Sequence, residues 1–576
     1  MEGKDGRMML VVDGRTDNRE ELQRAIKRAG ADLVNPSDAE LILWGYQLWG
    51  EQCLGRIHGD FAMVIWDRLR NRVFCARDRI GVKPLYYHSS GDTLSIASEP
   101  AALLSLPWVT QELNDGVLVE YVADEFFSVD ETLWKGIKRL PPAHYMEVDS
   151  AGIRPRRYWR PDLDETLICE SDQDYADRYR ALLSSCVSRC ARSHRPVGFE
   201  VSGGLDSSAV FSMGEHLRRS GHLEAPRIYG YAMDFGDDPD AYELDYSRAV
   251  AEHLGVKIRE IPAAQVPLAW FWSWAARFRD FPGYPNGFMS MGLRQAAHDR
   301  GCRVLLGGSG GDEWAGGVNR RLYYGEELQS GRWSHLLTCA TADFLDYGAI
   351  KTAAWMVRDG LLVSMPAAVE ALRAGKQWLS SGCKGRSKQF FWLNCASRDL
   401  IHKRRRGDRK SRREPNARRL RQVEQLDTLD HPFIVMALEL EERMAASIGL
   451  ELRHPMRDPR LIQFAIATPE RLRRRGRQDK WLHRLALHDM LPAAVMRRND
   501  KADFSVVFRR HLGSLDKGTL LSHPLCGRPI LDLNGVSALL NAYAKAEGQS
   551  GSAVAAKAQW ILWNLVACKA FCDTMS

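Results

Sequence analysis

No Cys-x-x-Cys pair occurs among the twelve cysteines of this 576-residue chain, and no histidine stands near one at zinc spacing. A structural zinc site is thereby excluded. No apolar run approaches the ~20 residues that span a bilayer, and no signal peptide opens the chain. The expectation is a cytoplasmic protein with reduced thiols, in which the i,i+4 pairs Cys186/Cys190 and Cys568/Cys572 are helix packing. The pattern GxxxxGK[ST] is absent, so any nucleotide must be held without a P-loop. An excess of one charge is nearly absent too. The net charge is +7, but Lys403–Arg421 alone carries +9, which leaves the remainder near −2. The sequence therefore predicts no nucleic-acid-binding surface. The basic run reads as a solvated loop, or as a docking surface for an acidic peptide or partner.

What is present is a chain of 45% hydrophobic and 27% charged residues, long enough for two or more domains. It is organised around Val197–Val210 (VGFEVSGGLDSSAV). A short apolar run predicts a buried parallel strand, and helical periodicity runs from about Asp206 to Arg219. Strand, glycine turn and helix point backbone N–H groups at a phosphate. Gly203 and Gly204 admit close approach, and Ser202, Ser207 and Ser208 add hydroxyls. Asp206 would repel a phosphate unless Mg²⁺ lies between them. The stretch asks for ATP with its metal.

This loop resembles the SGGxDS loop of the ATP pyrophosphatases, which cleave ATP between the α and β phosphates. About a hundred residues on, Val304–Glu313 (VLLGGSGGDE) reads as a second strand ending in glycines and a carboxylate. It resembles the SGxGxDE segment of the asparagine synthetase family, with Gly307 in place of the first Ser. The resemblance implies Asp312 as the second Mg²⁺ ligand, and Gly308, Gly310 and Gly311 at pyrophosphate. Asparagine synthetases carry Glu at the place of Ser309 and β-lactam synthetases carry Tyr, so Ser309 marks a different catalytic position.

Between the loops, Arg227–Ala232 predicts a strand and Ala241–Leu254 a helix, giving a parallel sheet with ligand at its carboxyl edge. Met233, just past the strand, is placed to flank adenine or is plain core. Glu243 reads as a solvated first turn. Residues 267–290 are dense in Trp, Phe and Tyr, which fits a packed helix face and also a wall for a substrate larger than aspartate. Further on, Gly449–Asp458 resembles the family's GxExRxPFxD, with Glu451 and Arg453 as a structural ion pair. Lys480 and Lys501 resemble the family's two lysines. By resemblance Lys501 is catalytic, stabilising charge on pyrophosphate or on the tetrahedral intermediate.

Residues 1 to about 100 alternate short strands and helices, with a hairpin at Phe61–Ala76. Gly59–Asp67, Ala76–Tyr87 and Ala97–Glu99 resemble stretches of the glutaminase domain of asparagine synthetase. That family attacks glutamine with an N-terminal Cys. Here Met1-Glu2-Gly3 stands before what corresponds to an interior strand, and Asp13-Gly14 replaces an oxyanion-binding Asn-Gly. Cys53 and Cys75 lie inside the chain. The reading is a truncated, inactive class II glutamine amidotransferase-like domain, unless the start shown is misplaced.

The fold class implied is α/β: a degenerate Ntn-type glutaminase-like α+β domain (1–160), then an ATP-pyrophosphatase-type parallel α/β synthetase domain with a helical C-terminal part (161–576). The resemblance implies an AMP- and pyrophosphate-forming amide ligase using ATP and Mg²⁺. Without glutaminase chemistry the amine must come from a substrate, a combination similar to the lasso-peptide macrolactam synthetases. Those adenylate an Asp or Glu side chain of a precursor peptide, which its own N-terminal amine captures. A leader-peptide-binding protein and a leader peptidase are the implied partners. A β-lactam synthetase-like cyclase, an ammonia-dependent asparagine synthetase and a catalytically silent scaffold are the alternatives.

Overall fold

The computed structural model describes residues 1, 6–236, 238, 240–317, 320–361, 389–411, 420–498, 502–515, 525–546 and 553–575. In the first part, β1 (Met8–Gly14), β2 (Phe61–Asp67), β3 (Arg72–Arg77), β7 (His144–Asp149) and β8 (Gly152–Arg157) form an antiparallel sheet in the order β1-β2-β3-β7-β8. β1 alternates as a half-buried strand should, with Met8 and Leu10 inside and Met9 and Val11 outside. The β2–β3 hairpin turns on Asp67, whose Oδ1 accepts the backbone N–H groups of Leu69 and Arg70. Helices Arg19–Arg28 and Asp38–Trp49 bury Leu22, Ile26, Leu41 and Ile42 against one face of this sheet. A capping box between Ser37 and Glu40 starts the second helix. A smaller sheet joins β4 (Tyr86–Ser90), β5 (Thr93–Ala97) and β6 (Ile137–Arg139) in the order β5-β4-β6.

The second part is built on a parallel sheet of β9 (Val197–Glu200), β10 (Ile228–Asp234), β11 (Ile258–Pro262), β12 (Val304–Leu306) and β13 (Glu451–Arg453). Their order is β11-β10-β9-β12-β13. The chain fills one side of β9 first and then returns to the other. The order therefore reverses between β9 and β12, and the carboxyl ends there open a crevice. The helix Asp172–Cys190 packs against this sheet; it starts earlier than the apolar pattern suggests because Ser171 and Asp174 cap it reciprocally. Helix Leu205–Arg219 follows the first glycine turn and Leu244–Leu254 follows β10.

The aromatic stretch is mostly core. Phe271, Trp274 and Phe278 of helix Leu268–Phe278 are buried in one cluster with helix Ala553–Asp573, which also packs against helix Asp115–Ala123. Two indole N–H groups are satisfied by carbonyls across this cluster, Trp563 at Gly283 (2.7 Å) and Trp134 at Arg279 (2.8 Å).

Two expectations fail. The basic run is helical as far as Ser411, within the helix Cys395–Ser411, and is not a solvated loop there. Arg404 pairs with Glu120 and Glu131, and Arg405 with Glu125, so carboxylates far away in sequence hold two of its arginines. Residues 412–419 of the run lie outside the described residues. The second failure is at the thiols: Cys526 and Cys572 form a disulfide, so Cys572 is not merely a packing partner of the buried Cys568. Among the described residues no helix is long and apolar enough to cross a membrane.

Candidate active site

The two glycine turns meet at the β9–β12 crevice and line one cavity of about 600 Å³. Ser202, Gly204, Asp206, Ser207, Gly308, Ser309, Asp312, Met233 and Lys480 all face it. The first turn is tied by its own serines. Ser207 Oγ accepts the Ser202 N–H at 3.1 Å and lies 2.9 Å from Ser202 Oγ. Gly203 adopts φ +75°, and a side chain there would collide with Tyr246. Ser208 is fully buried on the helix and does not line the cavity.

The second turn packs directly on the first. A Cβ on Gly308 would overlap Ser207 N, and one on Gly311 would overlap the Asp206 carboxylate. Gly310 carries φ +106°. These glycines let two backbones touch, which places both carboxylates in the same corner. Ser309 faces the cavity and accepts from Arg457 Nε at 3.2 Å, while Arg457 also pairs with Glu313 at 2.8 Å.

Lys480 sits in the left-handed region (φ +55°) after the hairpin Arg474–Asp479. Its ammonium pairs with Asp206, and with Asp312 at 2.7 Å. Burial opposes the charge, but the two carboxylates outweigh it and hold Lys480 above the ordinary lysine range. Carboxylates that converge on one cationic nitrogen are a donor set that also suits a divalent cation, with phosphate oxygens and water completing its shell. Asp312 is open to the cavity, so such ligands can reach it. Mg²⁺ therefore fits these residues. Lys501 lies outside the described residues.

Several residues of the site carry no signal in the local sequence. Arg484 donates to the carbonyls of Asp479 (2.7 Å) and Arg498 (2.8 Å), and to that of Met496, so one guanidinium fixes the segment that bears Lys480 and a second segment beyond it. Arg498 pairs with Glu243 at 2.7 Å and stacks over Tyr246; Glu243 is thus largely enclosed, not a solvated first turn. Glu200, at the end of β9, also faces the cavity. Its position inside an apolar strand run hid it.

Behind the crevice the two parts of the chain are joined by ion pairs. Arg15 contacts Asp60 at 2.6 Å and Glu451 at 3.1 Å. Arg453 binds Glu451 and donates to the carbonyls of Cys190 and Arg192, both at 2.8 Å, as a structural pair. Burial alone would raise the Glu451 carboxyl, yet Arg453 and Arg15 hold it at about 2. Asp13 lies 3.5 Å from Lys83, which also pairs with Glu442. Burial pushes the Cys53 and Cys75 thiols up to about 12, which makes both inert as nucleophiles at neutral pH.

A second cavity of about 380 Å³ is lined by Phe281, Tyr284, Phe433, Met436, Trp560 and Arg443 among others. Part of the aromatic stretch does therefore form a wall.

Among known proteins, the family described as asparagine synthase matches residues 178–570, and the glutamine amidotransferase domain matches residues 1–159. Asparagine synthetase [glutamine-hydrolyzing] 3 of Bacillus subtilis (strain 168) is 24% identical over 85% of this chain and 74% of its own length. Asparagine synthetase [glutamine-hydrolyzing] 1 of the same organism is 24% identical over 88% of this chain and 77% of its own. Amidase chry2 of Gibberella zeae is 28% identical over 50% of this chain and 44% of its own, so the chain spans less than half of that relative. The paired glycine turns, the carboxylates they bring together and this match over most of the length agree: the chain belongs to the asparagine synthase family, as a ligase with an amidotransferase-type domain at its N-terminal end.

Proposed function

We propose that this chain forms an amide bond within a precursor peptide, by adenylating an Asp or Glu side chain that the peptide's N-terminal amine then captures. The observation that carries the adenylating half is the meeting of Asp206, Asp312 and Lys480 in one cavity. The substrate carboxylate attacks the α-phosphorus of ATP and pyrophosphate departs. The amine then attacks the acyl carbon and AMP departs. The first-turn backbone and Lys480 place positive character around the phosphates. Mg²⁺ held by Asp206 and Asp312 would neutralise charge on the departing pyrophosphate. Holding acyl group and amine together supplies much of the remaining acceleration.

The peptide reading is supported by the second, aromatic-lined cavity of about 380 Å³. The two cysteines inside the amidotransferase-type fold, Cys53 and Cys75, are buried and unreactive, which favours an amine that does not come from glutamine. A leader-binding protein and a leader peptidase would prepare such a substrate. A second reading is ammonia-dependent asparagine formation; its product, though not its nitrogen source, is the one named for the Bacillus relatives.

The test is pyrophosphate release with Mg-ATP, offering in parallel a leader-free precursor peptide encoded nearby, and aspartate with ammonia. Release with the peptide alone, with loss of one water from its mass, is the expected result. Release with aspartate and ammonia alone selects the second reading. Silence with both leaves either a missing partner protein or a binding scaffold.

A further inference from the structure

Glu200 has a role that neither glycine turn accounts for. It is the last residue of β9, beside the β9–β12 reversal, and it faces the nucleotide cavity. In the sheet register it pairs with Tyr231 of β10, and the preceding Phe199 pairs with Leu306 of β12. Its side chain is directed to the face covered by helix Met291–Asp299, whose Arg294 is 4% exposed. The Arg294 Nε lies 3.9 Å from Glu200 Oε1, too far for a hydrogen bond. Glu200 Oε1 is buried and accepts no hydrogen bond among the described residues, and Arg294 Nε and Nη1 donate none. The space for this carboxylate exists because residue 307 is glycine: a Cβ there would stand 3.0 Å from Glu200 Oε2. Glu441, which lines the aromatic cavity, acts on Glu200 from helix Pro432–Ser447. Glu200 thus lines the nucleotide cavity within electrostatic reach of a residue that lines the aromatic one.

We propose that Glu200 is the base that receives the proton of the attacking amine in the second half-reaction. This rests on the acyl-adenylate reading above. As the neutral amine nitrogen bonds to the acyl carbon, the bond from that carbon to the AMP oxygen breaks with its electron pair. Glu200 takes the N–H proton, leaving a neutral amide, and later returns the proton to water. Ser309, on the second glycine turn, offers a hydroxyl that already accepts from Arg457. Burial raises the Glu200 carboxyl above the usual range, Arg294 opposes this, and Glu441 adds to it. His454, which senses Glu441 and Arg294, is held at about 4 by burial and stays neutral. A raised carboxylate is the better base near neutral pH.

The test uses the full chain with Mg-ATP and the leader-free precursor peptide encoded nearby. Two acceptors are compared, the peptide's own amine and added hydroxylamine, whose weak basicity makes the proton it must lose acidic enough for water to take without a positioned base. In Glu200→Gln, hydroxamate formation is expected to stay within about threefold while cyclisation falls by about 10²-fold or more. The acidic limb of the cyclisation pH profile is expected to vanish, and Glu200→Asp to restore part of the rate. Cyclisation retained in Glu200→Gln overturns the proposal. So does an equal fall of both products with no rescue by Glu200→Asp, which marks a structural role. Absence of hydroxamate from the wild-type chain overturns the adenylate reading itself.

Discussion

Lys480 donates to Asp312 at 2.7 Å while also holding Asp206, so one ammonium joins the carboxylates of both glycine turns. The turns are about a hundred residues apart in sequence, and the lysine is far from either. Asp206→Asn should therefore lower ATP-dependent pyrophosphate release by about 10²–10³-fold. The melting temperature should move by less than about 3 °C, since Asp312 still pairs with Lys480. Unchanged turnover would remove Asp206 from the metal site.

Gly311→Ala tests whether the glycines of the second turn serve contact between backbones. The added methyl would overlap the Asp206 carboxylate, so the turns must separate. A loss of about 1–3 kcal/mol in urea unfolding, with loss of pyrophosphate release, is expected. Full stability with full activity would mean that the turns are looser than described.

Glu451 gives a pH dependence with a definite sign. Its carboxyl is held at about 2 when folded, below the ordinary 4.5. It therefore adds stability that is fully present above about pH 4.5 and lost as pH falls toward 2. Glu451→Gln should flatten the acid limb of the unfolding curve and cost about 1–3 kcal/mol at pH 7, by leaving Arg15 and Arg453 short of a partner. An acid limb identical to wild type would refute the assignment.

The Cys526–Cys572 disulfide closes a sequence separation of 46 residues. Chain entropy for such a loop is at most about 4 kcal/mol. Reductant, or Cys526→Ser, should lower the melting temperature of the oxidised chain by several degrees. A melting temperature indifferent to dithiothreitol would show that the bond is not formed in the isolated protein.

The nucleotide half of the site was legible because its chemistry is contiguous: strand, glycines, Asp206 and helix follow one another, and VLLGGSGGDE repeats the pattern. The parallel order of β9, β10 and β12 followed from the same alternation. Pairings across the chain were not legible. Glu243 looked solvated because its partner Arg498 is distant, and Lys403–Ser411 looked like a loop because Glu120, Glu125 and Glu131 are nearly three hundred residues earlier. Glu200 was invisible for a different reason: one carboxylate at the end of an apolar strand does not change its periodicity.

The aromatic core has one more consequence. Tyr121 and Trp134, within the amidotransferase-type match, share a single buried cluster with Phe271, Trp563 and Val566 of the ligase part. Two ancestries therefore meet in one cooperative unit, and the boundary between them is not a line along which the molecule can be cut. Excising the first 159 residues would strip that cluster of one wall.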